Sequence, residues 1–246
     1  MFQCPYCGVG CGLRIDEKGR VKGDANHPAN RGDLCKKPLY LPKVNPIGRI
    51  GKPLYRERKD EAFREISWSE AYRILADRIR SIEREEFYFY LSGQLLTEDI
   101  YVANKFVKGF IGTNNVDANS RLCMASAVTA YKLVFGSDGV PCTYEDIDNG
   151  DAFLFIGSNA AITHPVLFKR VLKRRREDRN VLIITIDPVE TQTAQKSDIH
   201  IPIRAGTDVI FLNAVLGVLY KEGWIDREFV EKHTRGFEEA LAQAMK

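Results

Sequence analysis

The fold turns on the stretch Asp151-Ala152-Phe153-Leu154-Phe155-Ile156-Gly157-Ser158-Asn159. Ala152–Ile156 is apolar without alternation, the pattern of a strand buried in a parallel sheet, and Gly157-Ser158-Asn159 closes it. Pro165–Glu177 follows as an amphipathic helix with a basic outer face from Lys169 to Arg176, in which Arg174–Arg176 reads as solvated. Val181–Ile186 is the next strand, ending in Asp187-Pro188. Ile199–Ile203 is a third, ending in Arg204-Ala205-Gly206-Thr207-Asp208, with Asp208 placed to cap a helix over Val209–Lys221. Strands alternating with helices of roughly 10–15 residues specify an α/β fold with a parallel sheet.

Upstream, Ser67 and Glu70 form the S-x-x-E pattern of a capping box, leading into Ala71, Leu75, Ile79 and Ile82 at helical spacing. Phe87–Leu91 reads as a strand ending in Ser92-Gly93-Gln94. Thr97–Ile111 is helical in period, Gly112–Ala118 is a loop, and a second helical run covers about Cys123 to Phe135. Nearer the start, Leu13–Ile15 and Arg20–Lys22 read as a hairpin across Glu17–Gly19. The stretch Asn26–Pro53, with Pro28, Pro38, Pro42, Pro46 and Pro53, reads as ordered loop and linker. The downstream Trp224–Lys246 reads as a helical continuation of the α/β part.

The chain has 246 residues, 44% hydrophobic and 28% charged, with a net charge of +3. That length suits one large domain or two modest ones. No concentrated basic stripe suggests nucleic-acid binding, and no apolar run approaches the roughly 20 residues of a membrane span. The sequence opens MFQCPYCG with no signal peptide or twin-arginine leader before the first cysteine, so the expected compartment is the cytoplasm.

Six cysteines are unevenly spread. Cys4, Cys7, Cys11 and Cys35 follow C-x2-C-x3-C-x23-C, whereas Cys123 and Cys142 stand alone. Clustering in a reducing compartment favours metal ligation over disulfides. Four thiolates suit zinc or an iron–sulfur cluster. Only Cys4–Cys7 has the zinc-knuckle form, and the tight three-cysteine run, with Gly8, Gly10 and Gly12 permitting sharp turns, fits a 4Fe–4S cubane better. Cys142 has no such context and reads as structural.

C-P-Y-C-G-V-G-C-G followed by G-D-L-C-K-K resembles the N-terminal iron–sulfur domain of molybdopterin-dependent oxidoreductases, the bis-molybdopterin guanine dinucleotide enzymes that include nitrate reductases and formate dehydrogenases. The resemblance implies a small N-terminal iron–sulfur domain of short β-strands and loops over residues 1–56. A parallel-sheet α/β nucleotide-binding domain, incomplete, would follow over 57–246. It implies a 4Fe–4S cluster on Cys4, Cys7, Cys11 and Cys35, with Lys37 between cluster and pterin. Pro38 stands where the family often has glycine. Asn119-Ser120-Arg121-Leu122-Cys123-Met124-Ala125 resembles the segment supplying the molybdenum ligand, which makes Cys123 that ligand. A thiol at the start of a helix has its thiolate favoured by the helix dipole.

By the same resemblance Gln94 and Asn119 contact the pterin. In open α/β sheets ligands bind beyond the carboxyl ends of the strands. Gly157, Ser158 and Asn159 would therefore meet a phosphate through backbone N–H groups, Asp187 a ribose or guanine, and Gly206, Thr207 and Asp208 the guanine side. His164 is left without a role.

Formate dehydrogenases resemble one another in placing His directly after the Cys or selenocysteine; here Met124, which carries no proton, stands there. C-M-A-S-A-V and Phe135-Gly136-Ser137-Asp138-Gly139 with Tyr144-Glu145-Asp146-Ile147-Asp148 instead resemble periplasmic and assimilatory nitrate reductases, and the leader-free start favours the assimilatory type. The implied chemistry passes electrons from the cluster by Lys37 and the pterin to molybdenum (or tungsten), which takes an oxygen atom from nitrate. The alternatives are a formate dehydrogenase catalytic subunit and a non-catalytic iron–sulfur electron-transfer or scaffold module, which would have no use for Cys123. A nucleic-acid-binding zinc protein is supported by neither charge nor spacing. The resemblance covers only the front of the family, so the expected partners are the remaining portion of the catalytic subunit and an electron donor such as ferredoxin or a reductase subunit.

Overall fold

Ala152–Ile156, Leu182–Ile186 and Ile199–Ile201 form one parallel sheet in which Leu182–Ile186 is central, with Leu154 opposite Ile184 and Ile184 opposite Ile199. The structure is a computed structural model describing residues 2–44 and 48–246. Residues 45–47, including Pro46 of the proline-rich stretch, lie outside the described residues. The central strand is the buried one: Ile183 and Ile186 are enclosed, and Thr185 is buried with its hydroxyl 2.7 Å from Ser197 Oγ. Ala152–Ile156 is instead an edge strand whose Leu154 is 54% exposed. Continuous apolarity does not distinguish a central strand from an edge whose outer face is left uncovered among the described residues.

The chain makes two compact units, Met1–Val44 with Cys142–Lys246, and Asn45–Pro141. In the first, the hairpin pairs Gly12–Ile15 with Val21–Gly23, and Phe2–Gln3 adds on the other side of Gly12–Ile15. Gly19 closes the hairpin at φ 72°, where a side chain would be strained. The proline-rich stretch is irregular apart from a 3-10 helix, Lys37–Lys43, in whose first turn the buried Pro38 needs no N–H partner. Asn30 ties the hairpin to the loop behind it: its Oδ1 accepts from Gly12 N–H at 2.8 Å and its Nδ2 donates to Asp33 O at 2.9 Å. At Gly23 a Cβ would lie 2.1 Å from the Gly32 carbonyl oxygen. Backbone cannot yield as a side chain does, so Gly23→Ala is expected to destabilise this unit by about 1–3 kcal/mol; an unchanged thermal midpoint would contradict that packing.

The helix Pro165–Glu177 follows the first sheet strand, and Asp208–Lys221 follows the third. The basic face of Pro165–Glu177 differs from the sequence reading. Arg170 is buried, Arg174 is only 18% exposed and bonds Asp151 and Asp178, and Arg175 pairs with Asp198. Lysine and arginine stems pack inward when carboxylates and carbonyls wait for their heads. At the start of Asp208–Lys221, Thr207 rather than Asp208 holds the N-cap position, and its hydroxyl donates to Arg204 O at 2.6 Å. A helix the periodicity missed, Tyr144–Asn149, is capped by Thr143, whose N–H donates to Asp146 Oδ2 at 2.6 Å. The end of the chain folds as Arg227–His233 and Phe237–Ala244.

In the second unit Trp68–Arg80 is a helix whose Ser67 cap accepts from Glu70 N–H at 3.1 Å. Only half of the capping box forms, because the Glu70 carboxylate turns to Arg64 at 3.0 Å. Phe89–Leu91 pairs in parallel with Val116–Ala118, which lies inside the stretch expected to be loop; three residues are too few for alternation to register. Thr97–Asn104 runs on as a π-helix, Lys105–Ile111, ended by Gly112 at φ 84°. The expected Cys123–Phe135 helix is broken: Ser120–Cys123 is a short turn, Met124 leaves helical geometry at φ −120°, and Ala125–Phe135 follows.

Candidate functional site

Cys4, Cys7, Cys11 and Cys35 gather in the first unit, all as free thiols, with Cys4 and Cys11 buried and Cys7 and Cys35 half-buried. The loop is drawn tight by Cys4 N–H donating to Cys11 O at 2.8 Å and by Gly10, at φ 67°, donating to Cys7 O. Val9, Leu13, Val21, Ala29 and Val166 pack around the buried thiols. Burial and then the neighbouring cysteines push the Cys11 thiol up to about 11. Burial also raises Cys4, against smaller lowering by a backbone hydrogen bond from Tyr6 and by the charge of Lys37; Lys37 itself is exposed. Four cysteines in one apolar shell are a donor set that fits an iron–sulfur cluster. Among the described residues no three His, Cys, Asp or Glu side chains surround a single-ion position; the fit rests on the four thiols and the apolar shell.

The cysteine segment is tethered by side chains far away in sequence. Tyr144 Oη donates to Val9 O at 2.8 Å, and Lys169 Nζ donates to Leu34 O, next to Cys35, at 2.9 Å. Arg170 donates to Pro28 O at 2.6 Å, Ala29 O at 3.0 Å and Tyr144 O at 2.8 Å, and grips Asp148 through Nε at 3.1 Å and Nη2 at 2.6 Å. Every N–H of that buried guanidinium is used. Sequence reading missed these three residues, because Lys169 and Arg170 sit in a basic run and Tyr144 in a segment valued only for its resemblance. Tyr144 with Asp148 four residues on, one helical turn apart, was the available signal.

The hydrogen bond from Arg170 holds the Asp148 carboxyl below the usual carboxylate range, with the charges of Arg170 and Arg31 helping. A carboxyl depressed in the folded state contributes stability above its unfolded pKa of about 3.9 and loses it as pH falls through the lower folded value. Asp148→Asn is therefore expected to be less stable than wild type at neutral pH and to show a shallower loss on acidification below about pH 4. Parallel stability curves for the two proteins would contradict this.

The three parallel strands of this unit direct their carboxyl ends to one sheet edge, and the residues expected to meet the nucleotide follow those ends. Gly157 takes φ 56°, and its N–H, expected to face a phosphate, instead donates to Ile186 O at 2.9 Å. Ser158 is half-buried beside it. Asn159 is partly committed, its Oδ1 accepting from the buried Thr193 hydroxyl at 3.1 Å. Asp187 Oδ1 accepts from Val189 N–H at 2.9 Å, an Asx turn that fixes the carboxylate at the strand end. Gly206 takes φ 82° ahead of Thr207 and Asp208. His164 caps no backbone; its Nδ1 lies 2.9 Å from Thr163 Oγ1.

In the second unit the carboxyl ends of Phe89–Leu91 and Val116–Ala118 bring together the other expected residues. Asn119 Oδ1 accepts from Gly93 N–H at 2.7 Å, joining the two strand ends. Gln94 is exposed one residue on. Cys123 is exposed and ends the short helix that begins at Ser120, so it precedes the main helix rather than starting it. An exposed thiol at this edge is free to reach a metal. Cys142, expected to be structural, is also exposed. No helix among the described residues is long and apolar enough to cross a membrane.

Residues 3–44 match the molybdopterin oxidoreductase Fe4S4 domain and residues 49–238 match molybdopterin oxidoreductase. The chain is 40% identical to a nitrate reductase from Synechocystis sp. over 96% of its own length and 35% of that protein. It is 39% identical to the alpha subunit of a formate dehydrogenase from Methanocaldococcus jannaschii, covering 96% of this chain and 35% of that one. Acetylene hydratase from Pelobacter acetylenicus shares the fold, with a TM-score of 0.82 at 20% identity over 99% of this chain and 35% of that one. The chain thus spans about a third of the length of the curated relatives it matches. The two matched domains indicate a 4Fe–4S cluster and a molybdopterin cofactor. The clustered cysteines, the parallel α/β sheet and these matches agree, and the chain belongs to the molybdopterin oxidoreductase family.

Proposed function

We propose that this chain is the front part of a molybdenum oxidoreductase that reduces nitrate to nitrite, taking up two electrons and two protons and releasing water. Residues 1–56 form the cluster domain with its linker, and residues 57–246 form part of the molybdopterin-binding α/β domain. Cys4, Cys7, Cys11 and Cys35 hold the cluster, and Cys123 holds molybdenum, or tungsten in its place. When bound, the cluster relays single electrons and the molybdenum centre supplies oxygen-atom transfer. By the family resemblance Lys37 lies between cluster and pterin, where its positive charge favours arrival of an electron. Gln94 and Asn119 orient the pterin. Gly157, Ser158, Asn159, Asp187, Gly206, Thr207 and Asp208 bind the nucleotide arms of a bis-molybdopterin guanine dinucleotide.

The observation that carries the choice of nitrate is the exposed Cys123 followed by Met124. Methionine takes no proton, so the position suits delivery of oxygen to the metal better than removal of a proton from formate. The 40% identity to a nitrate reductase supports the same choice; the 39% identity to a formate dehydrogenase subunit makes formate oxidation the second reading. The remaining portion of the catalytic subunit is the main partner, consistent with Phe110 and Leu133 being 83% and 81% exposed here. The electron donor is a ferredoxin or a reductase subunit, and the compartment is the cytoplasm.

The test is anaerobic turnover of the full-length protein with reduced viologen and nitrate, and separately with formate and an oxidised acceptor. Nitrite formation without formate oxidation is expected; formate oxidation without nitrite would overturn the reading. The 246-residue chain by itself is expected to form no nitrite, and turnover by it would contradict its being a part.

A further inference from the structure

The loop between Cys7 and Cys11 carries one long-range side-chain hydrogen bond whose donor comes from the other end of the unit. Tyr144 Oη donates to Val9 O at 2.8 Å, across 135 residues of sequence. Val9 is 2% exposed, and its neighbours in the packed cluster include Cys4, Cys11 and, at its edge, Cys7 and Tyr144 itself. The phenol therefore sets its O–H dipole on a buried carbonyl between two cluster ligands. Its own position is over-determined. Its carbonyl accepts from Arg170 Nη2 at 2.8 Å, the Arg170 guanidinium lies 5.8 Å from its ring centre, and it begins the Thr143-capped helix Tyr144–Asn149. On the outer side, His27, Gln3 and Gly8–Gly10 line a cavity of about 430 Å³ of which Tyr144 forms a wall, so the phenol is a fixed donor on a loop otherwise open to solvent.

From this geometry we propose that Tyr144 is a positioning residue for the cluster, whose hydroxyl fixes the Cys7–Cys11 loop and raises the cluster's affinity for an electron. The proposal rests on the assignment of Cys4, Cys7, Cys11 and Cys35 as ligands. The carbonyl of Val9 presents negative charge near the ligands. The positive end of the Tyr144 O–H dipole neutralises it, and an electron added to the anionic cluster is then less strongly repelled. The step concerned is a one-electron reduction: the electron comes from a one-electron carrier, no bond forms or breaks, and the phenol keeps its proton. Without the hydroxyl the ring still fills its place, but the carbonyl loses its fixed donor and the reduced state loses most.

The test uses anaerobically purified full-length protein and its Tyr144→Phe variant. Redox titration is followed by the EPR signal of the reduced cluster, with iron and sulfide analysed on the same samples. Wild type should contain about four irons and four sulfides per chain. At the wild-type midpoint potential the reduced-to-oxidised ratio in Tyr144→Phe is expected to fall about threefold, from one half reduced to about one quarter. A second variant carries 3-fluorotyrosine at 144, which keeps the ring and strengthens the donor; its reduced fraction at the same potential should rise. A structural role alone would not move the potential in opposite directions. Unchanged potentials in Tyr144→Phe with full iron would overturn the proposal. If Tyr144→Phe loses iron, an unchanged potential in the fluorotyrosine protein would overturn it equally. Wild type lacking iron and sulfide would overturn the ligand assignment itself, and the proposal with it.

Discussion

Cys123→Ser in the full-length protein is expected to lower nitrate turnover at least roughly a thousandfold, about 4 kcal/mol on the barrier, while leaving iron and sulfide content unchanged. The structure supplies the reason for the separation. Cys123 lies in the unit Asn45–Pro141, at the carboxyl ends of a two-stranded parallel sheet, whereas the four clustered cysteines belong to the other unit. The thiol is exposed and takes no part in packing, so its loss leaves the fold intact. Serine is nearly isosteric, but its hydroxyl does not ionise near neutral pH and is a poor substitute for a thiolate ligand. Cys11→Ser should differ in its iron content. It removes a buried cysteine proposed as a cluster ligand, so iron is expected to fall and activity with the viologen donor to fall with it. Metal analysis and turnover on both variants check the pair; loss of iron from Cys123→Ser, or its full retention in Cys11→Ser, would contradict the assignment.

The second large effect is at Arg170. Its guanidinium is buried and joins Pro28 O, Ala29 O, Tyr144 O and both oxygens of Asp148. Arg170→Met fills much of the same volume and leaves those acceptors without their donor. Removing one partner of a buried ion pair costs about 3–5 kcal/mol. Asp148 is 30% exposed and keeps Arg31 at 2.7 Å, so the lower part of that range is expected. Arg170→Lys retains the charge but not the fork, and should recover only part of the loss. Denaturant unfolding of the cluster-loaded protein measures this. A loss below about 1 kcal/mol for Arg170→Met would mean the network contributes little.

Much of the architecture was legible because the signals were local. The hairpin around Gly19, the strand ends at Gly157 and Asp187, and the helix Pro165–Glu177 each follow from periodicity and turn chemistry in a few residues. The four spaced cysteines do come together in one packed cluster, and the residues proposed for the nucleotide follow the ends of adjacent parallel strands. What escaped depends on partners distant in the chain. Arg170 and Arg174 look like a solvated run until Asp148 and Asp151 come beside them. Val116–Ala118 becomes a strand only because Phe89–Leu91 lies alongside. The tethers from Tyr144 to Val9 and from Lys169 to Leu34 each span 135 residues, beyond the reach of any window of sequence. Met124 breaks the helix after Cys123, and nothing in the composition of that apolar run marks the break.

The central claim is that the cysteines of residues 1–44 hold a 4Fe–4S cluster serving a molybdenum site. Iron, acid-labile sulfide, zinc and molybdenum analysis of the anaerobically purified full-length protein, with EPR of the reduced sample, tests it most directly. About four irons and four sulfides per chain, about one molybdenum and no stoichiometric zinc are predicted. Stoichiometric zinc without sulfide would contradict it.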